Sequence, residues 1–258
     1  MDAFTLLGGI CHAMPVVVSI PHGGMWLPDD IRASMRPDAV LASTDWYLPE
    51  LCSFLEGMDF TVLVNNVSRY AADVNRRPMN RHPRDARGNA VYAETTFGKP
   101  LYDAPLLPDE VARRMALYHA PYHAALRGAL DDKVARFGHA VLLDLHSFCR
   151  NIAPEIVLGT GRGTTADAKT IAAVRDALAG EGFTVAADEP FTGGYITHRY
   201  GSRSGPVEAV QIELSCMAYI GVHALGEVAE PVPDPALWRR TRARLENAFA
   251  RLAAQWQT

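Results

Sequence analysis

Apolar and polar positions alternate along the chain in two recurring forms. Dense β-branched or aliphatic runs predict buried strands at 15–20, 60–64, 140–145, 155–158, 183–187 and 207–214. Apolar residues at helical spacing predict a short helical piece from Asp29-Asp30 and a helix over 46–57, where Gly57 is a stop signal. Pro108-Asp109-Glu110 opens a further helix to about 137, which Pro121 should bend or split. Two more helices are expected at 165–179, ended by Gly180, and at 235–257. Residues 1–14 read as a loose lead-in interrupted by Gly8-Gly9, and 192–206 as a Gly-rich loop. The stretch 65–107, rich in Arg, Asn, Pro and Gly, is a loop long enough to be either functional or disordered. Strands alternating with helices predict an α/β fold: a mostly parallel central sheet covered on both faces, three layers α/β/α, in one domain over 1–258.

Composition changes this picture little. The chain has 258 residues, 48% hydrophobic and 21% charged, with a formal net charge of −4, which gives no support to a nucleic-acid or membrane partner. No apolar run approaches the roughly 20 residues needed to span a bilayer. The N-terminus lacks a secretory pattern, so a cytoplasmic location is expected. Cys11, Cys52, Cys149 and Cys216 are scattered without a C-x-x-C pair and read as reduced thiols.

Two histidines stand at the carboxyl ends of apolar strands, where open α/β sheets bind ligands. His22 follows the run at 16–20 and precedes Gly23-Gly24; His146 ends Val141-Leu142-Leu143-Asp144-Leu145. Imidazoles on one rim can share a metal ion, and catalytic zinc takes three protein ligands. Asp45, in Ser43-Thr44-Asp45, is the candidate third ligand, although the same pattern is an N-cap signature. Asp144 is the fallback, or a group that orients a ligand. Glu213 places a carboxylate inside an apolar strand, which is costly unless it is paired, at an edge or functional. Near a metal-bound water it would serve as general base. Arginine forks recognise carboxylates, so Arg69 and Arg76, with Asn75, and Arg203 from another loop are candidates to hold an acidic substrate. The alternative for this Arg-rich stretch, which also carries Arg77, Arg81, Arg84 and Arg87, is a solvated basic loop.

Two rival patterns carry different functions. His119 and His123, four apart, could share a helix face and chelate a metal, but no Glu stands in the H-E-x-x-H position. Gly159-Thr160-Gly161-Arg162-Gly163-Thr164 follows a strand and opens a helix, with Asp188 ending the next strand. It suggests a nucleotide-binding oxidoreductase, although the third glycine is one place early for G-x-G-x-x-G.

His22, Arg69, Asn75-Arg76, His146 and Glu213, in this order, resemble the zinc carboxypeptidase and aspartoacylase superfamily. The nearer likeness is to N-formylglutamate amidohydrolases. It rests on Ser19-Ile20-Pro21-His22-Gly23-Gly24, Asp45, Ser68-Arg69-Tyr70 with Asp73-Val74-Asn75-Arg76, Tyr118-His119-Ala120-Pro121-Tyr122-His123, Asp144-Leu145-His146-Ser147, Thr192-Gly193-Gly194-Tyr195 and Gln211-Ile212-Glu213-Leu214. The superfamily's usual Glu three residues after the first histidine is Met25 here, which makes Asp45 the implied substitute. The resemblance implies a zinc-peptidase-like, phosphorylase/hydrolase-like fold. It also implies one zinc per chain on His22, Asp45 and His146, Glu213 as base, and the two carboxylates of the substrate held by Arg69, Asn75, Arg76 and Arg203. The implied reaction is hydrolysis of N-formyl-L-glutamate to L-glutamate and formate in histidine degradation. A zinc deacylase acting on another N-acyl acidic amino acid is the alternative.

Overall fold

The computed structural model describes residues 2–7, 13–78, 88–150, 152, 154–222 and 230–257. Its centre is a seven-stranded sheet built from β1 (Phe4–Leu7), β2 (Val16–Ile20), β3 (Thr61–Asn65), β4 (Ala140–Phe148), β5 (Ile156–Gly159), β6 (Val185–Ala187) and β7 (Val207–Ser215). The spatial order is β1-β3-β2-β4-β7-β5-β6. All neighbours run parallel except β1 against β3 and β5 against β7. β1 corrects the expectation of a loose lead-in: Phe4 to Leu7 pair with Asn65 to Val62 along the sheet edge. Four residues with no strict alternation are too short a signal to separate from a tail.

Side-chain alternation along the strands sorts two faces. Val16, Val18 and Ile20 of β2, with Val141, Leu143 and Leu145 of β4, pack in the core that contains Leu245, Ala248, Phe249 and Leu252. Those four lie at helical spacing on α7 (Pro235–Trp256), whose N-terminus Asp234 caps by accepting from the amides of Ala236 and Leu237. Val174, Ala177 and Leu178 of α5 (Ala168–Gly180) join the same core. The opposite face of the sheet, with Val17, Leu142 and Ala209, meets Tyr122, Leu126, Ala129 and Leu130 of α4 (Ala120–Phe137) and Ile196 of α6 (Tyr195–Tyr200). The three-layer α/β/α expectation therefore holds. α6 lies inside the stretch read as a Gly-rich loop; six residues entered from Gly193-Gly194 gave too little periodicity to reveal it.

Other expectations are met with changes. α1 (Asp29–Ser34) is present, but the helix expected over 46–57 is only α2 (Leu48–Leu51) followed by a tighter turn at Ser53–Gly57. The 108–137 helix forms as α3 (Pro108–Arg114), a wide π turn at Met115–His119 and then α4. Pro121 has no N–H for an α bond back along the helix, and the π turn absorbs that break. The described part of the 65–107 stretch is ordered by a core of its own, in which Val67, Tyr70, Ala71, Val91, Tyr92 and Leu101 pack on Leu27 and Ile31 of the first loop and helix. Gly8-Gly9 and Cys11, with Arg81, Arg84 and Arg87, lie outside the described residues.

Cys149 and Cys216 correct the reduced-thiol expectation. They form a disulfide with Cα atoms 5.3 Å apart, while Cys52 is free and buried. The reason is register. Phe148 pairs with Ser215 across β4 and β7, so the next residue on each strand is also adjacent, although 67 positions separate them in sequence. No helix among the described residues is long and apolar enough to cross a membrane.

Candidate metal centre and active-site cavity

Strand order brings the two histidines together. β2 and β4 are parallel neighbours, with Ser19 opposite Asp144, so the residues just beyond Ile20 stand beside the carboxyl end of β4. His22 and His146 are both buried, with ring centroids 4.7 Å apart and planes inclined at 67°. Gly24 makes the turn possible. A Cβ there would lie 2.5 Å from the Asn65 carbonyl oxygen, so only glycine lets the loop lie this close to the end of β3.

Asp45 completes the cluster. One ligand atom from each of His22, Asp45 and His146 lies within 4.8 Å of the others. The Asp45 carboxylate is 3.0 Å from His146 Nδ1 and 3.9 Å from His22 Nδ1. It does not cap a helix: α2 has no side-chain cap, and Asp45 meets it only through its backbone carbonyl, which accepts from the Leu48 amide at 3.2 Å. Geometry thus separates the two readings of Ser43-Thr44-Asp45.

The outer nitrogens of both rings face further carboxylates. His22 Nε2 donates to Asp73 Oδ1 at 2.7 Å, which leaves Nδ1 without a proton and turned towards Asp45. Burial and the nearby Arg69 charge lower the His22 pKa to about 4, so the ring is neutral near pH 7. His146 Nε2 is 3.3 Å from Asp144 Oδ2 and 3.0 Å from Asn75 Nδ2. Asp144 therefore sits behind a candidate ligand, the orienting place left open for it, and is itself held by Ser19 Oγ at 2.8 Å. Burial opposes a charge on His146, yet Asp144 and Asp45 together raise its pKa well above the usual value. Two imidazoles and one carboxylate, with outer nitrogens steered by carboxylates, match the donor set and backing of a zinc site.

Glu213 enters from the neighbouring strand. β4 and β7 pair His146 with Glu213 and Asp144 with Gln211, so all four side chains emerge on one face. Burial pushes the Glu213 carboxyl up to about 7; His146 lowers it and Asp45 adds to the rise. Gln211 Nε2 donates to Glu213 Oε1 at 2.6 Å, and Gln211 Oε1 accepts from the Gly194 amide at 2.5 Å. A carboxyl poised near neutral pH, beside a metal-type cluster, has the properties of a general acid–base group.

These residues share a cavity of about 840 Å³ whose wall also includes Arg69, Asn75, Arg76, Phe97, Arg150 and Phe191. The four residues expected to hold substrate fare differently. Arg76 is half-buried at the wall, its Nη1 donating to the Asn75 carbonyl at 2.9 Å. Asn75 is fixed between the Ile196 amide, which donates to its Oδ1 at 2.8 Å, and His146. Arg69 reaches the wall but is engaged elsewhere. Its Nη2 donates to Asp73 Oδ2 at 2.7 Å and to Tyr92 OH at 2.9 Å, and its Nη1 to the Ser43 carbonyl at 2.9 Å. Burial opposes charge on Asp73, but Arg69 holds its carboxyl well below the usual range. Arg203, expected to reach a substrate carboxylate, is exposed in the turn before β7 and is not among the residues lining the cavity. Its backbone amide bonds to the Thr164 carbonyl at 2.8 Å, which holds that loop on α5's approach.

Asp73, Gln211 and Arg150 were missed as site residues. Asp73 had a signal, an acid inside Ala71-Ala72-Asp73-Val74 and four residues from Arg69. Arg150 had none beyond its place four residues after His146; its guanidinium lies over the Phe191 ring, 5.7 Å from the centroid.

The rival patterns resolve otherwise. His119 and His123 spend their Nε2 atoms on backbone carbonyls, at 2.9 and 2.8 Å, so they do not form a chelate. The Gly-rich turn after β5 is no phosphate loop. Asp188, placed for a ribose, accepts instead from the Thr160 amide at 2.8 Å, and α5 is capped by Asp167.

Fold and site together define a hydrolase-class enzyme: a buried His, Asp, His cluster and a protonatable glutamate at the carboxyl rim of a mostly parallel sheet. The chain belongs to the N-formylglutamate amidohydrolase family, whose sequence model matches residues 14–220. It is 33% identical over 224 residues to an N-formylglutamate deformylase of Pseudomonas aeruginosa, covering 82% of this chain and 84% of that one. A second N-formylglutamate deformylase, from Pseudomonas putida, is 31% identical over 219 residues, 80% and 82% of the two chains. In fold it is similar to the crystal structure of an N-formylglutamate amidohydrolase from Ralstonia eutropha, with TM-score 0.84, 24% identity and 99% and 98% coverage.

Proposed function

We propose that this protein hydrolyses N-formyl-L-glutamate to L-glutamate and formate, with one zinc ion per chain held by His22, Asp45 and His146. The observation that carries the reading is the register pair His146 and Glu213, which sets the general base beside the metal-type cluster in a cavity walled by arginine. Zinc there would supply Lewis acidity and ease deprotonation of water. The chain's own residues do the rest. Glu213, near neutral pKa, takes the proton of the attacking water as its oxygen bonds to the formyl carbon. When the C–N bond breaks, Glu213 returns that proton to the leaving amine. Arg76 and Arg150, at the cavity wall, are placed to take the two carboxylates, and Asn75 to steady the bound substrate. Arg69 keeps Asp73 ionised, and Asp73 keeps His22 in the tautomer that bares Nδ1. The activity would serve histidine degradation, from within the cell. The cavity is larger than a formyl group needs, which keeps open a deacylase acting on a bulkier N-acyl acidic amino acid. A hydrolysis panel of N-formyl, N-acetyl and N-carbamoyl Glu and Asp, with and without chelator, decides. Turnover best on N-formylglutamate and lost with chelator supports the proposal; preference for another acyl group, or indifference to chelator, overturns it.

A further inference from the structure

We infer that His119 and His123 are positioning residues: a two-point clamp on the backbone that carries Asn75 and Arg76 into the cavity. His119 Nε2 donates to the Arg76 carbonyl at 2.9 Å and His123 Nε2 to the Val74 carbonyl at 2.8 Å, so the two grips fall on either side of Asn75. Carbonyl oxygens only accept, so each ring carries its proton on Nε2. His123 Nδ1 must then accept, and the Tyr200 hydroxyl supplies the proton at 2.9 Å. The rings lie 4.4 Å apart, tilted at 36°, at the end of the π turn that ends at His119. Burial keeps both below their ordinary pKa, His123 at about 4 with help from His119, so two neutral rings pack without charge repulsion.

What the clamp holds is the segment 73–76, and that segment meets both histidines of the cluster and the cavity wall. Asp73 bonds His22, the Asn75 amide reaches His146, and Arg76 lines the cavity. The segment belongs to no strand: Asp73 N donates to the Ala90 carbonyl at 2.6 Å, Asn75 N to Asp73 Oδ1 at 2.7 Å and Arg76 N to the Asp73 carbonyl at 3.2 Å, while the carbonyls of Val74 and Arg76 are taken by the two imidazoles. Asn75 has little slack: a Cβ on Gly194 would fall 2.2 Å from its Nδ2. A loop that presents an amide and a guanidinium to a substrate needs its carbonyls pinned, because a loop that must be ordered at the moment of binding takes that cost out of the affinity.

The consequence for substrate rests on the proposed hydrolysis; the consequence for the loop does not. The test compares His119→Leu and His123→Leu with His119→Gln and His123→Gln, since a Gln amide can still donate to the carbonyl. Hydrogen exchange of the backbone over 73–76 in metal-free, substrate-free protein should quicken about tenfold in the Leu variants and return towards wild type in the Gln variants. With zinc loaded, KM for N-formylglutamate should rise about tenfold in the Leu variants, with kcat within about threefold and zinc content unchanged. If His123→Leu does not fold, His119→Leu carries the test, because its ring holds the Arg76 carbonyl independently of His123. Unchanged exchange in the Leu variants overturns the clamp whatever the activity. Faster exchange with unchanged KM overturns its role in substrate binding. If the wild type does not turn over N-formylglutamate, the functional reading fails and the exchange result still judges the clamp.

Discussion

Glu213→Gln tests whether the carboxyl proposed as the base is held near neutrality by its surroundings. Burial, with Asp45 close by, raises the carboxyl from 4.5 to about 7 in the folded protein. Between those values the native state keeps a proton that the unfolded chain has already lost. Stability therefore falls as pH rises through that window, because the folded protein must give up a proton it holds more tightly. At about 1.4 kcal/mol per pH unit, the full loss is about 3 kcal/mol, an upper bound for a group surrounded by other charges. Glutamine has no such proton to lose. In metal-free protein, urea unfolding of the variant and wild type should diverge in favour of the variant between about pH 4.5 and about pH 8. The gap should grow by up to about 3 kcal/mol, a shift of roughly 1 M in urea midpoint. Added zinc should narrow the gap, since a neighbouring cation favours the carboxylate. Parallel stability curves for the two proteins would refute the claim that this site pushes Glu213 towards neutrality.

The ligand assignment predicts that His22→Ala and His146→Ala each lose both bound metal and activity; full zinc occupancy by elemental analysis in either would remove that residue from the set. Arg76→Ala should raise KM for an acidic substrate about tenfold or more with little change in kcat, as steady-state kinetics would show, and unchanged kinetics would return it to the solvated wall. Asp73→Asn leaves the Arg69 guanidinium buried without its counter-charge, so urea unfolding should show a loss of about 3–5 kcal/mol, whereas a loss under about 1 kcal/mol would mean the pair is dispensable.

What the sequence disclosed and what it hid divide along physical lines. The runs at Val16 and Val141 were legible because both faces of a central strand are buried, and so dense and short an apolar run suits little else. Histidines closing those runs were legible for the same reason: a polar ring at the end of a buried strand stands out. Phe4 to Leu7 form an edge strand with one neighbour, so burial did not mark them. Arg203 and Arg150 show the harder case. An arginine's reach depends on where its loop turns, and nothing local separates the arginine at the cavity wall from the one in solvent. Cys149 and Cys216 were hidden by register, which pairs residues far apart in the chain.

The site's charges point the same way as its geometry. Among the described residues Asp73 is ion-paired with Arg69, whereas Asp45 and Asp144 pair only with histidine and Glu213 pairs with no cation. The directions of the two pKa shifts agree with that shortfall. Although burial opposes it, Asp144 and Asp45 hold a proton on His146. Glu213, in the same enclosed space, keeps its proton up to about 7. Only His22 stays neutral and bare at Nδ1, because burial and the Arg69 charge forbid a second proton there. Protons on His146 and Glu213 thus stand in for positive charge that the donor set lacks. His22, Asp45 and His146 would hold a divalent cation, which would supply that charge where these groups converge and favour the carboxylate form of Glu213. A base must be unprotonated to accept from water, so the cation that fits the cluster would also arm the residue beside it.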